Sequence, residues 1–116
     1  MTYNYMSSHT DFSSVICVPA EVLTAEVSMT AKQIYIYLLN RSRQVMDEDD
    51  IGFVFTTASY SEIGGDLEIS KSTVKRALHE LDDEGLVIRK RMGRGKINRI
   101  YVLVPEKSND KKEIKK

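Results

Sequence analysis

Glu62-Ile63-Gly64-Gly65-Asp66-Leu67-Glu68-Ile69-Ser70-Lys71-Ser72-Thr73-Val74-Lys75-Arg76-Ala77-Leu78 reads as helix, tight turn, helix. Ser59 can cap a first helix over about Tyr60–Leu67. Gly64 and Gly65 are poor helix formers there, and close packing of a neighbouring helix would explain them. Glu68 falls at the turn, where a left-handed backbone would favour Gly or Asn. Ser70 caps a second helix from Lys71 to Glu84, and Gly85 is placed to end it in a left-handed conformation.

On a wheel of about 100° per residue, Val74, Ala77, Leu78 and Leu81 cluster on one side as core. Ser72, Arg76, His79 and Asp83 form the opposite line, flanked by Lys75. The exposed face is basic and hydroxylated at its start and acidic at its end. A helix that enters a DNA major groove by its N-terminus has this polarity, because its free N–H groups and dipole favour phosphate there. Asp82, Asp83 and Glu84 would then point away from the DNA backbone. The plain alternative is a solvated amphipathic helix in which Ser70 is only a cap.

Downstream, Leu86 to Arg91 and Ile97 to Val104 read as two strands, joined as a hairpin by Met92-Gly93-Arg94-Gly95-Lys96. From Arg89 to Arg99 there are six basic residues and no acidic one. Arg94 lies between two glycines at the tip, where an arginine can enter a narrow A·T-rich minor groove. Arg89, Arg91, Lys96 and Arg99 would follow the phosphates. The competing explanation is an edge hairpin protected from aggregation by its cations. Helix, turn, helix and basic hairpin together are the parts of a winged helix-turn-helix.

Upstream, Phe12 to Val18 is expected to be extended and Ala20 to Val27 to hold a short helix. Ser28 caps a helix from Met29 to about Val45, with Ala31, Ile34, Tyr35, Leu38, Ser42 and Val45 on one face. Ile36 and Leu39 widen its apolar band, so a further surface should cover the flank. Asp47 to Gly52 is an acidic loop and Phe53–Thr56 a short strand. Residues 1–11 and the lysine-rich 106–116 carry little to bury, which leaves 12–105 as the domain.

The 116 residues carry 17 Lys and Arg, 17 Asp and Glu, and one cysteine, so the net charge is zero and no internal disulfide can form. Neutrality alone speaks mildly against nucleic acid, but segregated charge can still make a positive face. No apolar run approaches the roughly 20 residues of a membrane span, and no secretory signal opens the chain, so a cytoplasmic location is expected. No catalytic, metal-binding or small-molecule constellation is evident, and neither a cofactor nor enzymatic activity is expected. His9 and His79 have no sequence-local partner that suggests a nucleophile or a metal site, and Cys17 reads as a buried small side chain rather than a nucleophile. Asp47-Glu48-Asp49-Asp50-Ile51-Gly52 fails the calcium-loop pattern at Ile51 and at Ala58. Gly93-Arg94-Gly95-Lys96 lacks the spacing of a P-loop.

Ser61-Glu62-Ile63 through Leu86, followed by the basic hairpin, resembles the winged helix-turn-helix class of bacterial regulators. Two segments resemble, more narrowly, the N-terminal DNA-binding domain of RepA-type plasmid replication initiators from Gram-positive bacteria. They are Val27-Ser28-Met29-Thr30-Ala31-Lys32-Gln33-Ile34-Tyr35 and Ile88-Arg89-Lys90-Arg91-Met92-Gly93-Arg94-Gly95-Lys96-Ile97-Asn98-Arg99-Ile100-Tyr101-Val102. The resemblance covers about residues 12 to 104. It departs at Ile97, where the family often has proline, and family members continue into further C-terminal sequence. It implies origin-type or operator DNA binding by a stand-alone relative on a plasmid, phage or integrative element.

The expectation is one α+β winged-helix domain that binds double-stranded DNA sequence-specifically, as a replication-initiator-like factor or a transcriptional regulator. The candidate DNA contacts are Ser70, Lys71, Ser72, Thr73, Lys75, Arg76, Arg89, Arg91, Arg94, Lys96 and Arg99. Arg76 has the fork geometry to read guanine, and Lys71 and Lys75 suit phosphate. A homodimer on a palindromic site would double the contacts, through the Met29 helix with an exposed Ile36 or through the N-terminal segment. The alternative function is a winged-helix module that binds protein instead of DNA.

Overall fold

The computed structural model describes residues 2–3, 5–13 and 16–105. The tail expected at 106–116 lies outside the described residues, as do Met1 and Asn4 of the N-terminal stretch. The elements are α1 (Ala20–Leu23), α2 (Met29–Val45), β1 (Asp47–Glu48), β2 (Val54–Phe55), α3 (Tyr60–Leu67), α4 (Lys71–Asp83), β3 (Val87–Lys90) and β4 (Arg99–Val102).

The three main helices start where a serine caps them. The hydroxyls of Ser28, Ser59 and Ser70 accept the backbone N–H of Ala31, Glu62 and Thr73. At Ser59 the capping box is complete, with the Glu62 carboxylate accepting the Ser59 N–H at 3.0 Å. At Ser28 a long-range partner is added. Glu80 of α4 accepts the Ser28 N–H at 2.6 Å and its hydroxyl at 2.8 Å. The end of α4 is a Schellman turn: the Leu86 N–H donates to Leu81 O at 2.9 Å and the Gly85 N–H to Asp82 O at 3.1 Å. Gly85 sits at φ 76°, the left-handed conformation expected of it.

The core lies where α2, α3 and α4 meet the β3–β4 hairpin. Ile34, Tyr35 and Leu38 of α2 pack with Ile63, Val74, Leu78 and Leu81, closed by Val87 and Ile100. The Tyr35 hydroxyl satisfies itself on Leu103 O at 2.8 Å, so a fully buried phenol is tolerated. β3 and β4 pair antiparallel, with Arg89 opposite Ile100 and Lys90 opposite Arg99. Thr56, just past β2, forms an antiparallel bridge with Ile100 and so ties the first hairpin to the second. The architecture is the expected α+β winged helix: a helix-turn-helix on a long support helix, followed by a basic hairpin.

Several local expectations change. The helix expected over Ala20–Val27 stops at Leu23, since β-branched Thr24 and Val27 favour the extended chain that leads to the Ser28 cap. Val45 is exposed rather than buried, because the left-handed Met46 turns the chain off the core one residue later. The acidic loop begins with a strand pair, Asp47 opposite Phe55 and Glu48 opposite Val54. The second hairpin is shorter than expected, leaving residues 91–98 as its loop. No strand forms among the described residues of Phe12–Val18. Cys17 is exposed, not buried. Its backbone is strapped to α2 instead: the Cys17 N–H donates to Asn40 Oδ1 and Asn40 Nδ2 to Cys17 O, both at 2.9 Å. Among the described residues no helix is long and apolar enough to cross a membrane.

Candidate nucleic-acid interface

The turn between α3 and α4 is built around Gly64 and Glu68. Glu68 adopts φ 58°, ψ 47°, and the Ile69 N–H closes back onto Gly64 O at 3.0 Å. A Cβ on Gly64 would stand 2.6 Å from Ile69 O, so the turn passes too close for any side chain. Gly65 faces open space, so the close packing expected of both glycines belongs to Gly64 alone. The first helix of the pair is held on α2 by polar contacts. Arg41 donates to Glu62 Oε2 at 3.3 Å and to Thr57 O at 3.1 Å, and the Tyr37 hydroxyl donates to Asp66 Oδ2 at 2.6 Å. The Glu62 carboxyl lies below its ordinary range, first because it accepts the Ser59 N–H and then because of the Arg41 guanidinium.

At the start of α4 the hydroxyls gather. Ser70 Oγ lies 2.8 Å from Thr73 Oγ1 and 3.3 Å from Ser72 Oγ, and Arg76 Nη2 reaches Thr73 Oγ1 at 3.3 Å. Lys71, Ser72, Lys75 and Arg76 are exposed, and Thr73 is half-buried. Arg76 is therefore steered toward the N-terminal end of its own helix.

In the wing, Gly93 and Gly95 take φ 122° and φ 75°, with exposed Arg94 between them. The Lys96 N–H donates to Gly93 O at 3.2 Å and closes the tip. Arg91 and Lys96 are exposed as well. Two of the expected wing cations are differently employed. Arg89 Nε donates to Asp82 Oδ2 at 3.0 Å, and its side chain is only 23% exposed. Arg99 lies over the Phe55 ring at 4.2 Å, a cation–π contact. The acidic end of α4 is thus not idle: Asp82 holds Arg89, and Asp83 lies 3.4 Å from His79 Nε2.

Those contacts shape a cleft of about 360 Å³ lined by Tyr60, Lys75, Arg76, His79 and Arg89. It joins the start of α3, the exposed face of α4 and β3, so it brings a wing residue beside the helix expected to read DNA. Tyr60 and His79 were not among the expected contacts. Helical phase put His79 on the same face as Lys75 and Arg76, but no sequence signal brought Tyr60 or Arg89 beside them. Among the described residues no group of His, Cys, Asp and Glu is arranged to hold a metal.

The fold is similar to a structure described as the N-terminal domain of a DNA-binding protein, with a TM-score of 0.69, 22% identity and 97% of each chain covered. It is similar to a Rep–DNA complex structure, with a TM-score of 0.68, 22% identity and 96% of each chain covered. An MDR initiator structure aligns over 78% of each chain, with a TM-score of 0.60 and 22% identity. No curated protein matches the chain in sequence. Residues 20–115 match the family described as the N-terminus of replication initiator protein A (RepA), and the chain belongs to that family.

Proposed function

We propose that this chain binds duplex DNA sequence-specifically, in the manner of a replication-initiator domain, and acts by binding rather than by catalysis. The N-terminal end of α4 enters the major groove, where Arg76 reads a base and Lys71, Ser72 and Lys75 meet phosphate or base edges. Arg94 at the wing tip enters the adjacent minor groove, with Arg91 and Lys96 on the backbone. The observation that carries the reading is the pairing of a capped, hydroxyl-rich, cationic helix start with a glycine-flanked arginine tip on one winged-helix frame. Membership of the RepA N-terminus family and the shared fold of a Rep–DNA complex support it. A cytoplasmic setting, on a plasmid, phage or integrative element, fits that role.

The test is a salt titration of binding to random and selected duplexes. Affinity should fall with salt at a log–log slope of about −0.9 per phosphate contacted. A pool of selected sequences should converge on one motif. Absence of duplex binding at low salt would overturn the function and favour a protein-binding module.

The same proposal includes a homodimer, since two copies on a palindrome double the base contacts, with half-sites roughly 34 Å apart. The two pairing surfaces expected from the sequence meet in one groove, lined by Ile16, Leu23, Met29, Ile36, Tyr37 and Leu67 among others. Ile36 is half-buried at its floor, while Leu23 and Met29 stand exposed on it. Leu23→Glu with Met29→Glu should give a monomer in sedimentation velocity. A dimer that survives both changes overturns this surface.

A further inference from the structure

We propose that the cleft between α3, α4 and β3 is a seat for a single phosphate group of the DNA backbone, and that Asp82 is its positioning residue. The inference rests on the DNA-binding reading and adds two members, Tyr60 and His79, to the contacts expected from sequence.

Charge and geometry carry it. Lys75, Arg76 and Arg89 converge on one hollow of about 360 Å³, from two different elements. Among the described residues Lys75 has no ion pair and Arg76 bonds only the Thr73 hydroxyl. Arg89 is held by its Nε edge on Asp82, so both Nη groups stay free to donate as a fork. Tyr60 lines the same cleft, and its hydroxyl has no hydrogen-bond partner among the described residues. A tetrahedral anion with several acceptor oxygens fits the donors of Lys75, Arg89 and Tyr60, and a neutral ligand would leave both cations uncompensated, with Arg76 kept for the base. The chemistry is that of a phosphate, from the duplex backbone or from free phosphate.

Asp82 gives the proposal its sign. By charge alone, removing a carboxylate from a DNA-facing surface strengthens binding. As a positioning residue, Asp82 keeps Arg89 from swinging out of the cleft, so Asp82→Asn should weaken binding by about tenfold, which is about 1.4 kcal/mol. The loss should be equal on selected and random duplexes, because a phosphate contact is blind to sequence. Arg89→Ala should lower the salt slope by about 0.9. In that background Asp82→Asn should add no further loss, because the two act as one unit. Tyr60→Phe, which removes only a hydroxyl and leaves the fold, should cost about fivefold without changing the slope.

The experiment is fluorescence anisotropy on the full chain with both duplexes, with a thermal melt for each variant and an added arm of inorganic phosphate at constant ionic strength. Weaker binding by Asp82→Asn and Tyr60→Phe supports the seat. If wild type binds DNA while either folded variant binds as tightly or more tightly, and phosphate does not raise the melting temperature, the seat is overturned and DNA binding stands. Should Asp82→Asn fail to fold, Tyr60→Phe decides. If phosphate raises the melting temperature of wild type but not of Arg89→Ala, and no variant loses DNA affinity, the ligand is free phosphate and the backbone assignment is overturned. If wild type binds no duplex, the underlying function fails with it.

Discussion

Gly64→Ala and Gly65→Ala make the same chemical change at neighbouring positions of α3 and should move stability in opposite directions. At Gly65 an added Cβ meets nothing within 4 Å, so the change should stabilise by about 0.5–1 kcal/mol through helix propensity alone. At Gly64 the Cβ would lie 2.6 Å from Ile69 O, a backbone atom that cannot rotate away. Relieving it must open the turn and strain or break the 3.0 Å bond from the Ile69 N–H to Gly64 O. Overpacking of this kind costs about 1–3 kcal/mol and the weakened bond about 0.5–1.5, against a propensity gain of about 1. The net is a loss of about 0.5–3.5 kcal/mol. Urea unfolding should show a lower midpoint with an unchanged slope for Gly64→Ala, and a higher midpoint for Gly65→Ala. The displaced turn carries Ser70 and the start of α4, so Gly64→Ala should also weaken DNA binding in the fraction that remains folded. Equal stabilisation by both substitutions would refute the close approach, and with it the account of the turn between α3 and α4.

Arg76→Ala should cost about 1–3 kcal/mol on the selected site and relax one base preference; a uniform loss on all sequences would make Arg76 a phosphate contact instead. Arg94→Ala should weaken binding most where the flanking sequence is A·T-rich, and unchanged affinity on such a flank removes the minor-groove role. Stability should fall on the acid side. The Asp49 carboxyl is held below its ordinary range, first by the Phe53 N–H and then by Tyr101 and the Ile51 and Gly52 N–H groups, and Glu62 is lowered by Ser59 and Arg41. A lowered pKa gives stability that is complete above the unfolded carboxylate range, about pH 4, and is lost as pH falls through the folded values. Asp49→Asn and Glu62→Gln should each flatten the acid limb of melting temperature against pH; two unaltered limbs would remove these carboxylates from the account.

The helical frame was legible because its punctuation is local. Ser28, Ser59 and Ser70 start helices by hydrogen bonds within three residues, and Gly85 ends one by its own backbone, so residue type and boundary coincide. The first hairpin was harder. Asp47 and Glu48 have low strand propensity, and the turn after them is set by the Asp49 carboxylate, which accepts three backbone N–H groups and the Tyr101 hydroxyl from 52 residues away. The candidate interface divided in the same way. Exposed cations at the start of α4 followed from helical phase, but the assignments of Arg89 to Asp82 and of Arg99 to Phe55 depend on which faces the tertiary fold brings together. Cys17 illustrates the limit of composition. Its residue type favours burial, yet Cys17 is exposed and its backbone is tied down by Asn40.

Glu80 sits near the far end of α4 and locks onto the first turn of α2 through Ser28. That makes the two helices one lever with its fulcrum at the end of α4 opposite the one proposed to meet DNA. Nine residues, about 14 Å, separate Glu80 from Lys71, so a tilt of about 5° at the fulcrum moves the groove-facing tip by roughly 1 Å. On the proposed reading, aim at the bases depends on how firmly an acid near the end of α4 grips the beginning of another helix, and whatever leans on α2 would also adjust the sights.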